Sequence, residues 1–214
     1  MPSVLPVLLL ALCLAAPAWA GSCLREDFDS LAGWSEYAPV RANRLTGYGP
    51  AQVDGRAVLE ARSRNSVSGL MSRASFDPAA CPRLRWTWRV EGVLPGADLA
   101  EQAGDDAPLR VMVLFYDDPG DMEPTHVLGY AWGNREAVGA VLASPYPGRV
   151  RFKVLRAGAQ DCGRWLEEAA DLVADYAAAF GEEPPAVARL AVMNDSDDTH
   201  GAATAYVDYL EVGQ

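Results

Sequence analysis

Short apolar runs separated by turn signals recur along this chain, and this pattern constrains its fold more than any other feature. Steps such as Asp54-Gly55 and Pro95-Gly96 favour turns, because glycine and proline preset the backbone angles that a turn requires. No apolar run alternates with helices as parallel βαβ units require. The chain is therefore predicted to be all-β, forming an antiparallel, jelly-roll-like β-sandwich. The predicted strands cover residues 57–61, 68–76, 84–90, 109–116, 126–132, 137–143, 150–155, 187–193 and 203–212.

The predicted strand at 84–90 shows which side chains enter the core. Successive side chains of a strand point to opposite faces, so alternate residues share a face. Two tryptophans two residues apart on the apolar face favour a core role over a ligand platform. The apolar face carries Leu84, Trp86, Trp88 and Val90, and the other face carries Arg83, Arg85, Thr87 and Arg89.

One segment breaks the strand pattern. Apolar residues from Leu172 to Phe180 follow helical spacing, and Gly181 with Pro184-Pro185 ends the run. A single short helix is predicted at about 173–180. Residues 165–171 are compatible with a strand that leads into it.

The N-terminus has the features of a signal peptide. Residues 4–16 are apolar but too short to span a bilayer, and Ala18-Trp19-Ala20 supplies the small residues of a cleavage site. We predict a signal peptide at 1–20 and one domain at 21–214, exported to the periplasm or secreted. A short N-terminal core helix is the alternative interpretation of 1–20. No later stretch has the length of a membrane span.

Three cysteines remain after the predicted cleavage: Cys23, Cys81 and Cys162. Because the number is odd, at least one thiol is free, modified or paired between molecules in an oxidising compartment. Ala20-Gly21-Ser22-Cys23 also resembles a lipoprotein box, so a lipid anchor at Cys23 is an alternative to free export. In that case Cys81 and Cys162 would be the natural pair, and two buried free thiols are the other possibility.

Composition and motifs exclude several classes of function. The chain has 29 acidic and 18 basic residues, for a net charge of −11, which argues against nucleic acid and anionic membrane surfaces as partners. It has no Gly-x-Ser-x-Gly elbow, no zinc-ligand spacing and no glycine-rich phosphate loop. The carboxylates are too numerous to support or exclude a two-carboxylate hydrolase.

Several sequence blocks resemble a bacterial family of exported proteins of unknown function, number 3047 in its series. They include Tyr130-Ala131-Trp132-Gly133-Asn134 in the middle of the chain and Met193-Asn194-Asp195-Ser196-Asp197 near its end. Other matching blocks are 86–90, 103–106, 144–146, 175–185 and 198–199. The sequence departs from the family pattern at residues 168–171 and at Asp198, where asparagine is usual. The resemblance implies a jelly-roll-like sandwich, similar to carbohydrate-binding modules, and no assigned activity.

The acidic loops are the main candidate for a site. Asp195, Asp197 and Asp198 crowd one predicted turn, and Asp105-Asp106 precede the strand at 109–116. Crowded carboxylates repel one another, and Ca²⁺ would relieve that repulsion by taking their oxygens as ligands. A calcium site at Asp195, Asp197 and Asp198 is therefore one hypothesis, and solvated carboxylates with arginine partners are the other. An EF-hand is excluded because His200 and Tyr206 stand where glycine and glutamate are needed.

Three classes of function remain. The favoured one is a non-catalytic envelope domain that binds a glycan or another envelope component; the alternatives are a carbohydrate-active enzyme with paired carboxylates and a structural or assembly partner. Tyr146 and Trp132 are predicted to be exposed aromatic platforms, and Arg89 to be a counter-charge for the acidic loops. The predicted ligand-binding residues are Arg89, Asp105, Asp106, Trp132, Asn134 and Tyr146.

Overall fold

The computed structural model describes residues 21–39, 42–146 and 148–214, so the predicted signal peptide lies outside the described residues. The described chain forms two facing β-sheets and one helix. The strands are β1 (Ser22–Glu26), β2 (Trp34–Tyr37), β3 (Gly47–Val53), β4 (Arg56–Arg64), β5 (Val67–Ser72), β6 (Arg83–Val90), β7 (Leu109–Tyr116), β8 (His126–Gly133), β9 (Val141–Ala143), β10 (Val150–Ala157), β11 (Leu166–Asp171), β12 (Val187–Asp195) and β13 (Ala202–Gly213), and the helix is α1 (Leu172–Phe180).

The two sheets confirm the predicted β-sandwich. The six-stranded sheet has the order β11-β6-β13-β4-β3, with β1 also paired to β13. The seven-stranded sheet has the order β2-β5-β12-β7-β8-β10-β9. One pair departs from the antiparallel prediction, because β10 runs parallel to β8. β9 and β10 pair antiparallel as a hairpin, and β10 lies between β9 and β8 in the sheet. β10 therefore runs parallel to β8.

Aromatic side chains from both sheets meet in the core. Trp86 and Trp88 of β6 are fully buried, as predicted, and their rings lie 5.2 Å from Tyr130 and 5.7 Å from Trp132. The prediction that Trp132 is an exposed platform is wrong. Its strand is buried along its whole length, and its Nε1 donates a hydrogen bond to the carbonyl oxygen of Gly158 at 3.1 Å.

Three strands escaped the sequence pattern, namely β1, β2 and β3, whereas β11 lies within residues 165–171, which were compatible with a strand. In β3, Gly47, Gly49 and Pro50 look like turn residues, but an edge strand tolerates proline because its outer N–H groups need no partner. In β11 the sequence has few strand-forming residues, and pairing with β6 overrides its weak propensity. The strand predicted at 137–143 is shorter than expected and forms only at β9.

The helix agrees with its prediction. The Asp171 side chain accepts a hydrogen bond from the backbone N–H of Ala174 and caps the N-terminus of α1. Gly181 ends the helix in the left-handed conformation with φ of 78°, which glycine adopts without a steric cost.

Cys23 and Cys81 form a disulfide, which differs from both alternatives left open for Cys81 and Cys162, a mutual pair and two buried free thiols. Cys162 is free and half-buried. A lipid anchor at Cys23 would use the same sulfur atom, so this bond argues against the lipoprotein alternative. The disulfide ties β1, a strand on the margin of the sheet, to the segment that leads into β6.

We expect loss of the disulfide to destabilise the fold. The bond joins residues 58 positions apart, and closing a loop of that length lowers the entropy of the unfolded chain by the equivalent of about 4 kcal/mol at 25 °C. Paired Cys23→Ser and Cys81→Ser substitutions should therefore lower the melting temperature by roughly 8–15 °C. Thermal unfolding measures this, with Cys162→Ser as the control. An unchanged melting temperature in the paired variant would contradict the assignment.

Candidate functional site

The structure brings the acidic loops together at one end of the sandwich. The β6–β7 loop carries Asp105 and Asp106, and Asp195 ends β12. All three side chains are buried, with exposures of 4%, 1% and 1%. This burial distinguishes them from ordinary solvated turn carboxylates.

Arg110 is the cation that binds two of these carboxylates, Asp105 and Asp195. It lies at the start of β7, is 1% exposed, and was not singled out in the sequence because it sits inside a hydrophobic strand. One guanidinium nitrogen donates to Asp195, and another donates to Asp105 Oδ1 at 2.7 Å and to the Asp105 carbonyl oxygen at 3.1 Å. The ring of Phe152 lies beneath the guanidinium, 4.7 Å from its carbon. We call Arg110, Asp105, Asp106 and Asp195 the Arg110 cluster.

Asp106 and Asp195 also fix the backbone of the loops. Asp106 accepts hydrogen bonds from the N–H groups of Asp198 and Thr199 at 3.2 and 2.6 Å. Asp195 accepts one from the N–H of Ala107 at 2.7 Å. The carboxylates thus join the β6–β7 and β12–β13 loops in both directions.

Tyr146 reaches the same end of the molecule. Its hydroxyl donates to the Asp198 carboxylate, whose two oxygens lie 2.9 and 2.8 Å away. The hydroxyl also lies 3.3 Å from the carbonyl oxygen of Gln102, a residue of the β6–β7 loop. Tyr146 therefore closes the loop cluster, and its hydroxyl is engaged by protein groups.

The electrostatics of the Arg110 cluster are unbalanced. Three buried carboxylates face one guanidinium, so full ionisation would leave a net negative charge in a region with little water. Burial raises the pKa of Asp195 to about 7, with Asp106 and Asp105 adding to the effect and Arg110 opposing it. Burial alone would lower the pKa of the Arg110 guanidinium. The carboxylates of Asp195, Asp105 and Asp106 have the larger combined effect, so its pKa is raised.

The grouping of carboxylates differs from the predicted metal set. One oxygen each of Asp106, Asp195 and Asp197 lie within 4.8 Å of one another, whereas Asp198 contacts Tyr146. Asp106 therefore takes the place that the prediction gave to Asp198. These three side chains could hold a hard cation such as Ca²⁺, although the oxygens of Asp106 and Asp195 also accept the hydrogen bonds described above.

Two predicted site residues lie elsewhere. Arg89 is on the outer face of the six-stranded sheet, where it pairs with Asp54 at 2.7 Å and Glu91 at 2.7 Å, so its predicted role as counter-charge is wrong. The prediction had the right face of β6 but did not identify Arg110, which shares the face of β7 opposite the sandwich core with Met112 and Leu114. Asn134 donates from Nδ2 to the Ala97 carbonyl oxygen at 3.2 Å and supports the β6–β7 loop.

The outer face of the six-stranded sheet carries aromatic residues that the sequence analysis did not select. Trp165 and Tyr206 are half-buried, with ring centroids 6.2 Å apart. Asp54 at the tip of the β3–β4 hairpin accepts from Trp165 Nε1 at 3.1 Å and also pairs with Arg89. Because β13 lies between β4 and β6, this tip reaches over the outer face of the sheet.

An open groove of about 390 Å³ lies on this face at Thr204, two residues before Tyr206 in β13. Arg62, Arg64, Glu91 and Thr204 are among the residues that line it, and cross-strand pairing places Thr204 opposite Arg62. Burial raises the pKa of Tyr206, as do Glu60 and Glu91, so its hydroxyl remains protonated at neutral pH. We call these four side chains together with Tyr206 and Trp165 the outer-face groove. The alternation of β13 could have indicated Thr204 and Tyr206, but their neighbours depend on the sheet order.

The architecture is that of a two-sheet β-sandwich, and residues 32–211 match the family described as a protein of unknown function, DUF3047. The chain belongs to that family, as its sequence blocks predicted. No curated protein matches the chain. No helix among the described residues is long and apolar enough to cross a membrane.

Several solved structures share the general fold at low identity. A family 11 carbohydrate-binding module from Clostridium thermocellum, in complex with a β-1,3-1,4-mixed-linked tetrasaccharide, is 11% identical with a TM-score of 0.46, covering 90% of this chain and 94% of that one. The family GH12 endoglucanase 3 of Trichoderma harzianum is 8% identical with a TM-score of 0.42, covering 92% and 99%. A xyloglucanase domain from Sinorhizobium fredii is 12% identical with a TM-score of 0.43, covering 86% and 100%. Each likeness concerns the fold alone.

We expect stability to fall as the pH rises from about 4 to about 7. The folded pKa of Asp195, about 7, lies above its unfolded value, which is about 3.9, so the folded state binds the extra proton in this interval. The stabilising contribution, on the order of 2–4 kcal/mol, is present below pH 4 and lost through pH 7. Asp195→Asn should flatten this slope in thermal unfolding, and Asp161→Asn, in a surface ion pair, should not. An equally steep slope in Asp195→Asn would contradict the assignment.

The calcium hypothesis makes a separate prediction. Calcium that binds only the folded state, at 100 times its Kd, would add about 2.7 kcal/mol and raise the melting temperature by about 5–10 °C. Thermal unfolding in millimolar Ca²⁺ and in chelator measures the shift, and Asp197→Asn should abolish it. Asp197 suits this test better than Asp195, which also supports the loops. Equal melting temperatures in both buffers would overturn the calcium site and leave Arg110 as the counter-charge.

Proposed function

We propose that the protein is an exported, non-catalytic glycan-binding domain of the cell envelope that binds carbohydrate at the outer-face groove. The observation that carries the proposal is the position of Tyr206 next to Thr204 on one face of β13, where Thr204 lines an open groove of about 390 Å³ together with Arg62, Arg64 and Glu91. An aromatic ring offers an apolar face to a sugar, while polar neighbours select its hydroxyl groups.

The groove is built on rigid elements rather than on a free loop. Tyr206 and Thr204 lie in β13, which pairs with β4 on one side and β6 on the other. On β3, Gly49 pairs with Glu60, and the space where a Cβ would stand is open. Because Gly49 has no side chain, the surface beside the groove leaves room above this strand for a chain of sugars.

The carboxylates favour binding over hydrolysis. The buried Asp105, Asp106 and Asp195 are held by Arg110 or by backbone N–H groups and are too enclosed to meet a polysaccharide. On the outer face of the six-stranded sheet, Glu91 lies 2.7 Å from Arg89 and Glu60 lies 2.7 Å from Arg62. Each of these two carboxylates is therefore engaged by an arginine rather than unpaired on the surface.

The Cys23–Cys81 disulfide supports the proposed export. Disulfides persist in oxidising compartments and are rare in the cytosol. The predicted signal peptide also indicates export. The N-terminus of the protein from its native host, determined by mass spectrometry, should lie at or near Gly21; an N-terminus at Met1 in a cytoplasmic fraction would contradict export.

We expect Tyr206→Ala to weaken glycan binding. One aromatic contact contributes about 0.5–1.5 kcal/mol, so affinity should fall about two- to tenfold. Affinity electrophoresis in gels containing mixed-linkage β-glucan, mannan or polygalacturonate measures retention of the protein. Tyr206→Phe keeps the ring and should retain binding, and Val138→Ala changes an exposed residue outside the groove. Lack of retention in every gel, or equal retention of Tyr206→Ala, would overturn the proposal.

A further inference from the structure

We propose that the outer-face groove selects acidic glycans, whose uronate carboxylates bind to Arg64 and Arg62. This inference rests on the proposed function and names the class of its ligand. It arises from the way charges on the groove are paired.

Arg64 is one of the cations that line the groove. It ends β4 at the groove, its side chain is exposed, and it makes no ion pair with any residue in 21–39, 42–146 or 148–214. Other arginines of this face have partners, such as Arg56 with Asp208 and Arg89 with Asp54. A guanidinium at a concave surface is a ready donor for a planar carboxylate, which it can bind through two parallel hydrogen bonds.

Arg62 adds a second set of donors. It pairs with Glu60 through one terminal nitrogen at 2.7 Å, yet its side chain is 65% exposed. The groove carboxylate Glu91 is paired with Arg89. The two groove arginines are thus more available to an incoming anion than the groove glutamate is to an incoming cation.

The overall charge of the protein makes this surface distinctive. The net charge is −11, so the whole molecule repels a polyanion, and adsorption without a specific site is disfavoured. Binding of an acidic polymer would therefore have to depend on a local arrangement of donors. The neighbouring ring of Tyr206 provides the second contact that separates a sugar acid from a simple anion.

The test compares variants on acidic and neutral polymers. Removing one charge-assisted contact with Arg64→Gln should lower affinity for polygalacturonate about tenfold and leave affinity for mixed-linkage β-glucan unchanged. Arg135→Gln is the control, because it removes an exposed arginine that pairs with Asp98 away from the groove. Affinity electrophoresis and calorimetry measure both polymers, and dextran sulfate serves as a non-uronate polyanion.

The outcomes separate this inference from the proposed function. Tyr206-dependent binding of β-glucan without binding of polygalacturonate would overturn the acidic-glycan inference and leave glycan binding intact. Equal polygalacturonate binding by Arg64→Gln, or binding of dextran sulfate as tight as that of polygalacturonate, would also overturn it. Failure to bind any polysaccharide would overturn the proposed function itself.

Discussion

The buried guanidinium of Arg110 is the interaction on which the loop end of this sandwich depends. It pairs with Asp105 and Asp195, and the Asp195 carboxylate in turn accepts a hydrogen bond from the backbone N–H of Ala107. Removing one partner of a buried ion pair typically destabilises a protein by about 3–5 kcal/mol, because the remaining charge is left without compensation. Burying these charges also costs desolvation free energy, which offsets much of the attraction between them. The cluster can therefore determine the conformation of the loops without adding much to the net stability of the fold.

The cluster also supports the surface that we propose to bind glycans. Asp106 holds the backbone of Asp198 and Thr199, and the same loop continues into β13, where Ala202 and Thr204 line the groove. On the other wall, the N–H of Asn65, next to Arg64, donates to the Gly201 carbonyl oxygen at 2.8 Å. The β12–β13 loop thus contacts the buried acidic cluster and leads directly into the strand that lines the groove. The carboxylates that attracted attention in the sequence act here as supports for that loop.

The sequence predicted those parts of the fold that local pattern determines. The alternation in 84–90 placed Trp86 and Trp88 correctly, and the spacing in 173–180 with Gly181 placed α1. The edge strand β3 was missed because its glycines and proline resemble a turn, and the parallel pairing of β8 and β10 depends on the order in which strands dock. Neither feature has a local signature.

The same limit applies to the site. The crowding of acidic residues at 105–106 and 195–198 indicated a shared location, and the structure brings these segments together. Their counter-charge was assigned to Arg89, whereas the structure provides Arg110 from within β7. An arginine in a strand that is otherwise entirely apolar is a signal in itself, since burying a charge is costly without a partner. Cys23 and Cys81 likewise pair through tertiary proximity that spacing does not reveal.

Hydrogen–deuterium exchange of Arg110→Gln against the parent protein tests most directly whether this cluster holds the loops. The account predicts faster exchange at the amides of Ala107, Asp198 and Thr199, which donate to the cluster, with protection retained in β6 and β13 as evidence that the sandwich is folded. Unchanged protection of these three amides in a folded Arg110→Gln variant would contradict the account.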